Sequence, residues 1–218
     1  MAEYIDEFRG TDDLYYAEVT IDDNEENTAS SGQTPNHGYV TGTVKRLAPV
    51  AEISKTVETA SDTKYYDNKP ALTINAEGAD TITLNVPALD LETLADITGK
   101  QIDNATGAFM DGESTPKYFA LGYRLGLTDG TYRYVWRYKG SFAIPDETSA
   151  TKNAGTDSSG QTLTYTGIMT VHKFTKAVDA LGNPLSQKAL VVDERDDKAN
   201  LATFFDTVTT CDTLTAKV

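Results

Sequence analysis

The chain contains a single cysteine, Cys211, which excludes an internal disulfide framework and any Cys-based zinc site within one copy. With no basic neighbour to lower its pKa, Cys211 reads as a small buried hydrophobe or an idle thiol. Only two histidines are present, His37 in a polar stretch and His172 at the end of an expected strand. Neither has a partner motif, so both are expected to be surface or satisfied histidines. The Gly-x-Ser-x-Gly elbow, the P-loop and the His-Glu-x-x-His pattern are all missing, and nucleophilic or metal-assisted catalysis is not advertised. No apolar run approaches the roughly 18 to 20 residues that cross a bilayer, and the opening Met1-Ala2-Glu3-Tyr4-Ile5-Asp6-Glu7 is acidic and polar. The expectation is a chain with no classical secretion signal and no membrane insertion. Positive charge is also scarce: 19 Lys and Arg stand against 33 Asp and Glu, a net charge of −14. Such a chain repels phosphate backbones, which argues against sequence-reading nucleic-acid binding.

The acids that are present form no recognisable site. Asp22, Asp23, Glu25 and Glu26 lack the spacing and central glycine of a tight calcium loop, so a solvated acidic loop is expected. Glu92 and Asp96 stand four apart on a predicted helix, where like charges usually mark the wet side. No cofactor and no metal is expected.

What the chain does have is strand grammar. Thr, Val, Tyr and Ile are punctuated by Gly, Asn and Asp, and 12 Tyr and 7 Phe are available to fill a core. The fold class expected is mainly β, a β-sandwich or barrel-like single domain over residues 1–218 with one short flanking α-helix and long loops. Leu72, Ile74, Ile82, Leu84 and Val86 alternate with polar residues around Ala76-Glu77-Gly78-Ala79-Asp80, which reads as a β-hairpin with its turn at Gly78 and its apolar face on the core. Asp90 then caps a helix carrying Leu91, Leu94, Ala95 and Ile97 and ending at Gly99.

Further strands are expected at Leu14–Thr20, Val50–Thr59, Ala108–Met110, Thr162–Lys173 and Leu190–Asp193, with a helical turn through Leu201, Phe204 and Phe205 and a last strand near Val208. Tyr118–Leu125 and Tyr132–Lys139 flank Asp129-Gly130 as a second hairpin. Its alternating Tyr132, Tyr134, Trp136 and Tyr138 are expected to pack across strands. Leu84, Val86, Leu91, Leu94, Ile97, Tyr134, Trp136 and Phe142 make up the predicted core. A loose polar arm (1–13), a flap (21–46) and a polar loop (145–161) complete the layout.

Two blocks carry a resemblance. Tyr65-Tyr66-Asp67-Asn68, Leu72-Thr73-Ile74-Asn75 and Ile82-Thr83-Leu84-Asn85-Val86 lead into Leu91-Glu92-Thr93-Leu94-Ala95-Asp96-Ile97-Thr98-Gly99. Phe119-Ala120-Leu121-Gly122-Tyr123 is followed by Tyr134-Val135-Trp136-Arg137-Tyr138-Lys139-Gly140-Ser141-Phe142-Ala143-Ile144-Pro145. In this order they resemble the major tail protein family of long-tailed phages, the phi13-type branch, and Leu14–Ala17, Thr166–Thr170 and Phe204–Val208 fit its two ends. The resemblance implies a structural virion protein of a long non-contractile tail, assembled in the host cytoplasm. Its hexameric rings would stack into a tube for DNA ejection.

The partners so implied are further copies of itself, a tape measure protein in the lumen, tail terminator and tail-tip proteins, and genomic DNA passing without sequence-specific binding. Ring-stacking contacts are expected from Asp22, Asp23, Glu25 and Glu26 in the flap and from Lys64, Tyr65, Tyr66 and Asp67. The inner tube of a phage-tail-like particle and a β-sandwich carbohydrate-binding or adhesion module are the alternatives.

Overall fold

A computed structural model of the chain describes residues 6–33, 35–146 and 160–217. In chain order the strands are β1 (Phe8–Asp22), β2 (Tyr39–Thr41), β3 (Lys45–Ala48), β4 (Glu52–Tyr66) and β5 (Lys69–Val86). After the helix α1 (Leu91–Thr98) come β6 (Gln101–Asp103), β7 (Ala108–Met110), β8 (Phe119–Leu127), β9 (Tyr132–Phe142), β10 (Gln161–Ile168), β11 (Lys173–Val178), β12 (Pro184–Ser186) and β13 (Ala189–Asp193). The fold is mainly β and sandwich-like, without barrel closure. No helix among the described residues is long and apolar enough to cross a membrane.

Nine strands share one sheet, in the order β2-β1-β8-β9-β10-β5-β4 with β3 beside β1 and β13 beside β9. Every pairing is antiparallel. β9 is the branch point: one edge lies along β8, while the other holds β13 at residues 133–137 and then β10 at 139–142. Both faces are buried, because successive side chains point to opposite sides. Leu14, Tyr16, Phe119, Leu121, Val135 and Phe142 share one core with Ile82, Leu84, Val86, Leu163, Tyr165 and Ile97. Ala17, Ala120, Trp136 and Tyr138 face the other way, under Phe174, Phe204 and Val208. The irregular C-terminal segment is thus the lid of the second core, and Trp136 Nε1 donates to Phe204 O at 2.9 Å beneath it.

The helix forms where expected. Asp90 accepts from Thr93 N at 3.0 Å, and Gly99 closes the helix in the left-handed conformation with φ 66°. Leu94, Ala95 and Ile97 are its buried residues; Leu91, expected in the core, is 48% exposed, since it is the first residue of the helix and the apolar face is covered only from the next turn on. Tyr134 is half-buried and stacks on Phe205 at 5.7 Å. The Asp129-Gly130 turn joins β8 to β9, with Gly130 at φ 89°.

Three expectations are corrected. β5 runs unbroken through Ala76–Asp80, so no hairpin turns there; its partner is the upstream strand β4, across a turn at Asp67-Asn68. Both turn residues have positive φ, 50° and 60°, as a two-residue hairpin turn of the primed kind requires. Gly78 lies inside β5 opposite Glu58, where the register shifts between Val57↔Asp80 and Thr59↔Glu77.

The arm is the second correction. β1 starts at Phe8, and Glu7 N donates to Thr128 Oγ1 while Thr128 Oγ1 donates to Asp6 Oδ1, so the stretch from Asp6 onward is tied to the β8–β9 turn. Residues 1–5 lie outside the described residues.

At the C-terminal end, the predicted strand Thr162–Lys173 is two strands separated by a turn, and the segment around Phe204 and Val208 is a series of turns without a strand. The polar loop at 145–161 falls largely outside the described residues, which include only its rims, where Asp146 bridges Thr162 and Gln161 opens β10. The flap is partly strand, through β2 and β3.

Trp136→Ala removes a fully buried ring and the bond that holds the C-terminal lid. A loss of about 3–5 kcal/mol is expected from large-to-small truncation in a core, read as a lower urea midpoint with unchanged slope.

Candidate self-association surface

Beyond Thr59 the β4–β5 ribbon leaves the body. Eight residue pairs, from Thr59↔Glu77 to Tyr66↔Lys69, carry it outward by roughly 25 Å at about 3.3 Å per residue. Directly opposed residues share a face, so Lys64↔Leu72 and Asp62↔Ile74 put two aliphatic side chains and an acid–base pair on one side. Thr63↔Thr73 and Ser61↔Asn75 make the other side wholly polar. Leu72 is 54% exposed and Ile74 50%, and both tyrosines at the tip are more exposed still. Sequence alternation assigned Leu72 and Ile74 to the core. They follow the alternation, but the body ends before it reaches them. A two-stranded ribbon with an uncovered apolar stripe is marginal in water unless something packs on it.

The outer edge of β4 is also unpaired among the described residues. Such an edge offers a row of backbone donors and acceptors to an incoming strand. The arm and this edge form one continuous surface.

The expected contact residues separate into two groups. Lys64, Tyr65, Tyr66 and Asp67 sit together at the arm tip, exposed, with Lys64 ion-paired to Asp62. Asp22 does not belong to a solvated loop: its side chain is 5% exposed, pairs with Lys139 Nζ at 2.6 Å and accepts from the backbone N of Val171 and His172. Asp23 follows it inward. Its carboxylate accepts from Gly38 N at 2.8 Å and lies 3.1 Å from His37 Nδ1, while its backbone O lies 2.9 Å from His172 Nδ1. The Gly38 bond is the first cause that holds the Asp23 carboxyl below the usual range. Two histidines far apart in sequence therefore meet at one aspartate, which pins the flap against the turn before β11. Glu25 and Glu26 remain exposed, Glu25 within 3.3 Å of His37.

Asp96 is a second correction to the charge reading. Instead of marking a wet side it accepts from Lys45 at 2.7 Å, Tyr16 at 3.0 Å and Lys117 at 3.1 Å, joining α1 to β1 and β3. Burial alone would raise its carboxyl, but these donors outweigh it and the pKa is lowered. Burial, then Asp212, push the Cys211 thiol up, in keeping with an unreactive sulfur. Among the described residues no group of three or more His, Cys, Asp or Glu is placed to hold a metal ion. Of the alternating aromatics of β9, Trp136 and Tyr138 are fully buried and Tyr132 and Tyr134 half-buried; Tyr134, Trp136 and Tyr138 form ring contacts with Phe174, Phe204 and Phe205.

No protein-family model matches this chain, and no curated protein matches it.

The free ribbon and the Asp96 cluster each have a measurable consequence. Backbone amides of residues 60–75 in the unassembled chain should exchange hydrogen orders of magnitude faster than those of β8 and β9, since only the ribbon's own ladder protects them; equal protection would mean that the arm lies against the body.

Asp96→Asn should cost about 1–3 kcal/mol. The Asp96 contribution is fully present above the unfolded carboxyl value, about 3.9, and is lost as pH falls through the lowered folded value. The variant should therefore lose less stability than the parent on acidification below about pH 4, as read from urea midpoints across pH.

Proposed function

We propose that this chain is a tail tube protein, a structural subunit whose hexameric rings stack into the tube of a long non-contractile phage tail. The observation that carries the reading is the arm: a ribbon with an uncovered apolar stripe, continuous with an open sheet edge. Closure into a ring satisfies such an edge with copies of the same strand neighbourhood, and a neighbouring ring supplies the surface that the stripe lacks. The two sequence blocks that resemble phi13-type major tail proteins supply the family. The first spans the arm tip, β5 and α1; the second spans β8 and β9.

In this reading the work is done by shape and charge. Each copy carries a net charge of −14, so a tube lined by part of that excess keeps DNA from adhering as it passes, whereas a basic bore would hold it. The partners are a tape measure protein in the lumen and terminator and tip proteins at the two ends, within a virion tail assembled in the host cytoplasm. The tube of a phage-tail-like particle is the same structure put to another use. A sugar-binding platform on β9 is disfavoured, because Trp136 and Tyr138 are buried and Tyr134 packs on Phe204 and Phe205.

Electron microscopy of the purified protein tests the proposal. Rings or tubes are expected, and Leu72→Ser with Ile74→Ser should leave rings that do not stack. A compact solitary particle at high protein concentration would overturn it.

A further inference from the structure

Where the arm joins the body, three cations converge on one carboxylate. Asp80 is 1% exposed; Arg137 Nη1 lies 2.7 Å from it, and Lys55 and Lys188 Nζ each lie 3.4 Å away. Lys188 also holds Glu77 at 2.8 Å. These groups line an open cleft of about 560 Å³, a size in the range of binding sites, with Met169 and Leu185 as half-exposed apolar neighbours. Lys173 lines the same cleft and has no ion-pair partner among the described residues.

Four cations thus face two carboxylates, a local reversal of sign in a chain with 33 acids and 19 bases. Arg137 is the most deeply held of the four cations. Its guanidinium is nine-tenths buried, yet Nε has no hydrogen-bond partner, which is rare for a buried charged donor. Asp80 engages Nη1 and leaves part of the fork unused. A further carboxylate beside Arg137 and Lys173 balances the excess charge of the cleft.

We propose that this cleft receives an acidic side chain from a second copy of the chain. Charge complementarity selects that occupant, since every copy has acids in excess while the cleft is basic. Position agrees: Lys55 and Glu77 belong to β4 and β5 at the root of the arm, so a copy lying along the arm and the β4 edge passes over the cleft. The inference rests on the self-association reading and gives it a specific lock.

Sedimentation velocity of the full chain, of Lys173→Glu and of Lys173→Gln tests it, with thermal melts confirming that the variants fold. Lys173→Glu is expected to raise the concentration for association at least tenfold and Lys173→Gln to raise it less. Glutarate should weaken association of the parent more than chloride does at matched ionic strength. Association of Lys173→Glu at the parent's concentration overturns the proposal.

If the parent never associates, the tube reading fails by itself, and the Arg137 Nε–H resonance then decides the cleft separately. A saturable shift with glutarate that is lost in Lys173→Glu identifies a free carboxylate as the ligand and overturns the second copy as occupant. Absence of a shift overturns the cleft as a carboxylate site.

Discussion

The ion cluster around Asp80 is the constraint on which the rest of the architecture depends. A carboxylate removed from water must be paired and hydrogen-bonded, and here the partners arrive from β4, β9 and the segment just before β13. Asp80 continues the row Val86, Leu84, Ile82 along one face of β5, so the hydrophobic ladder ends in a charge. On one side of that charge lies a packed core; on the other the ribbon stands free. Removing Asp80 would leave the buried Arg137 without compensation, a costlier event than the net worth of the pair itself.

β9 explains why a single sheet can bury both of its faces. By exchanging β13 for β10 along one edge, it brings β10 and β5 to the first core through Leu163, Tyr165, Ile82 and Leu84, and β13 to the second through Leu190 and Val192. The strands also approach closely at glycines. At Gly140 an added Cβ would come within 2.4 Å of Thr166 O and of the Tyr165 ring, near the point of exchange. At Gly122 the Trp136 ring occupies the space of the missing side chain. Within the strands of this hairpin Gly122 and Gly140 make room for a neighbour, whereas Gly130 makes the turn.

Local chemistry was legible in the amino-acid sequence and long-range chemistry was not. The Asp90 cap, the Gly99 stop and the Asp129-Gly130 turn each involve residues close in the chain, and each forms as expected. The Asp67-Asn68 turn lacks glycine, and the glycine that drew attention, Gly78, answers to Glu58 on the neighbouring strand. Leu72 and Ile74 have the right period for a core that stops short of them. The meeting of His37, His172 and Asp23, and of Asp96 with Lys45 and Lys117, depends on pairings that no local pattern encodes.

The ribbon also bears on the order in which the chain acquires structure. Its contacts join residues fewer than about twenty apart, and a hairpin of that kind closes in roughly microseconds, whereas β1 can enter the main sheet only when β8, about a hundred residues later, is available, although β2 and β3 pair with it sooner. The lid over Trp136 comes later still, from the far end of the chain. The exposed apolar stripe is therefore ready early and the platform that holds it late, so in the proposed assembly the ribbon waits for the body before it can be covered.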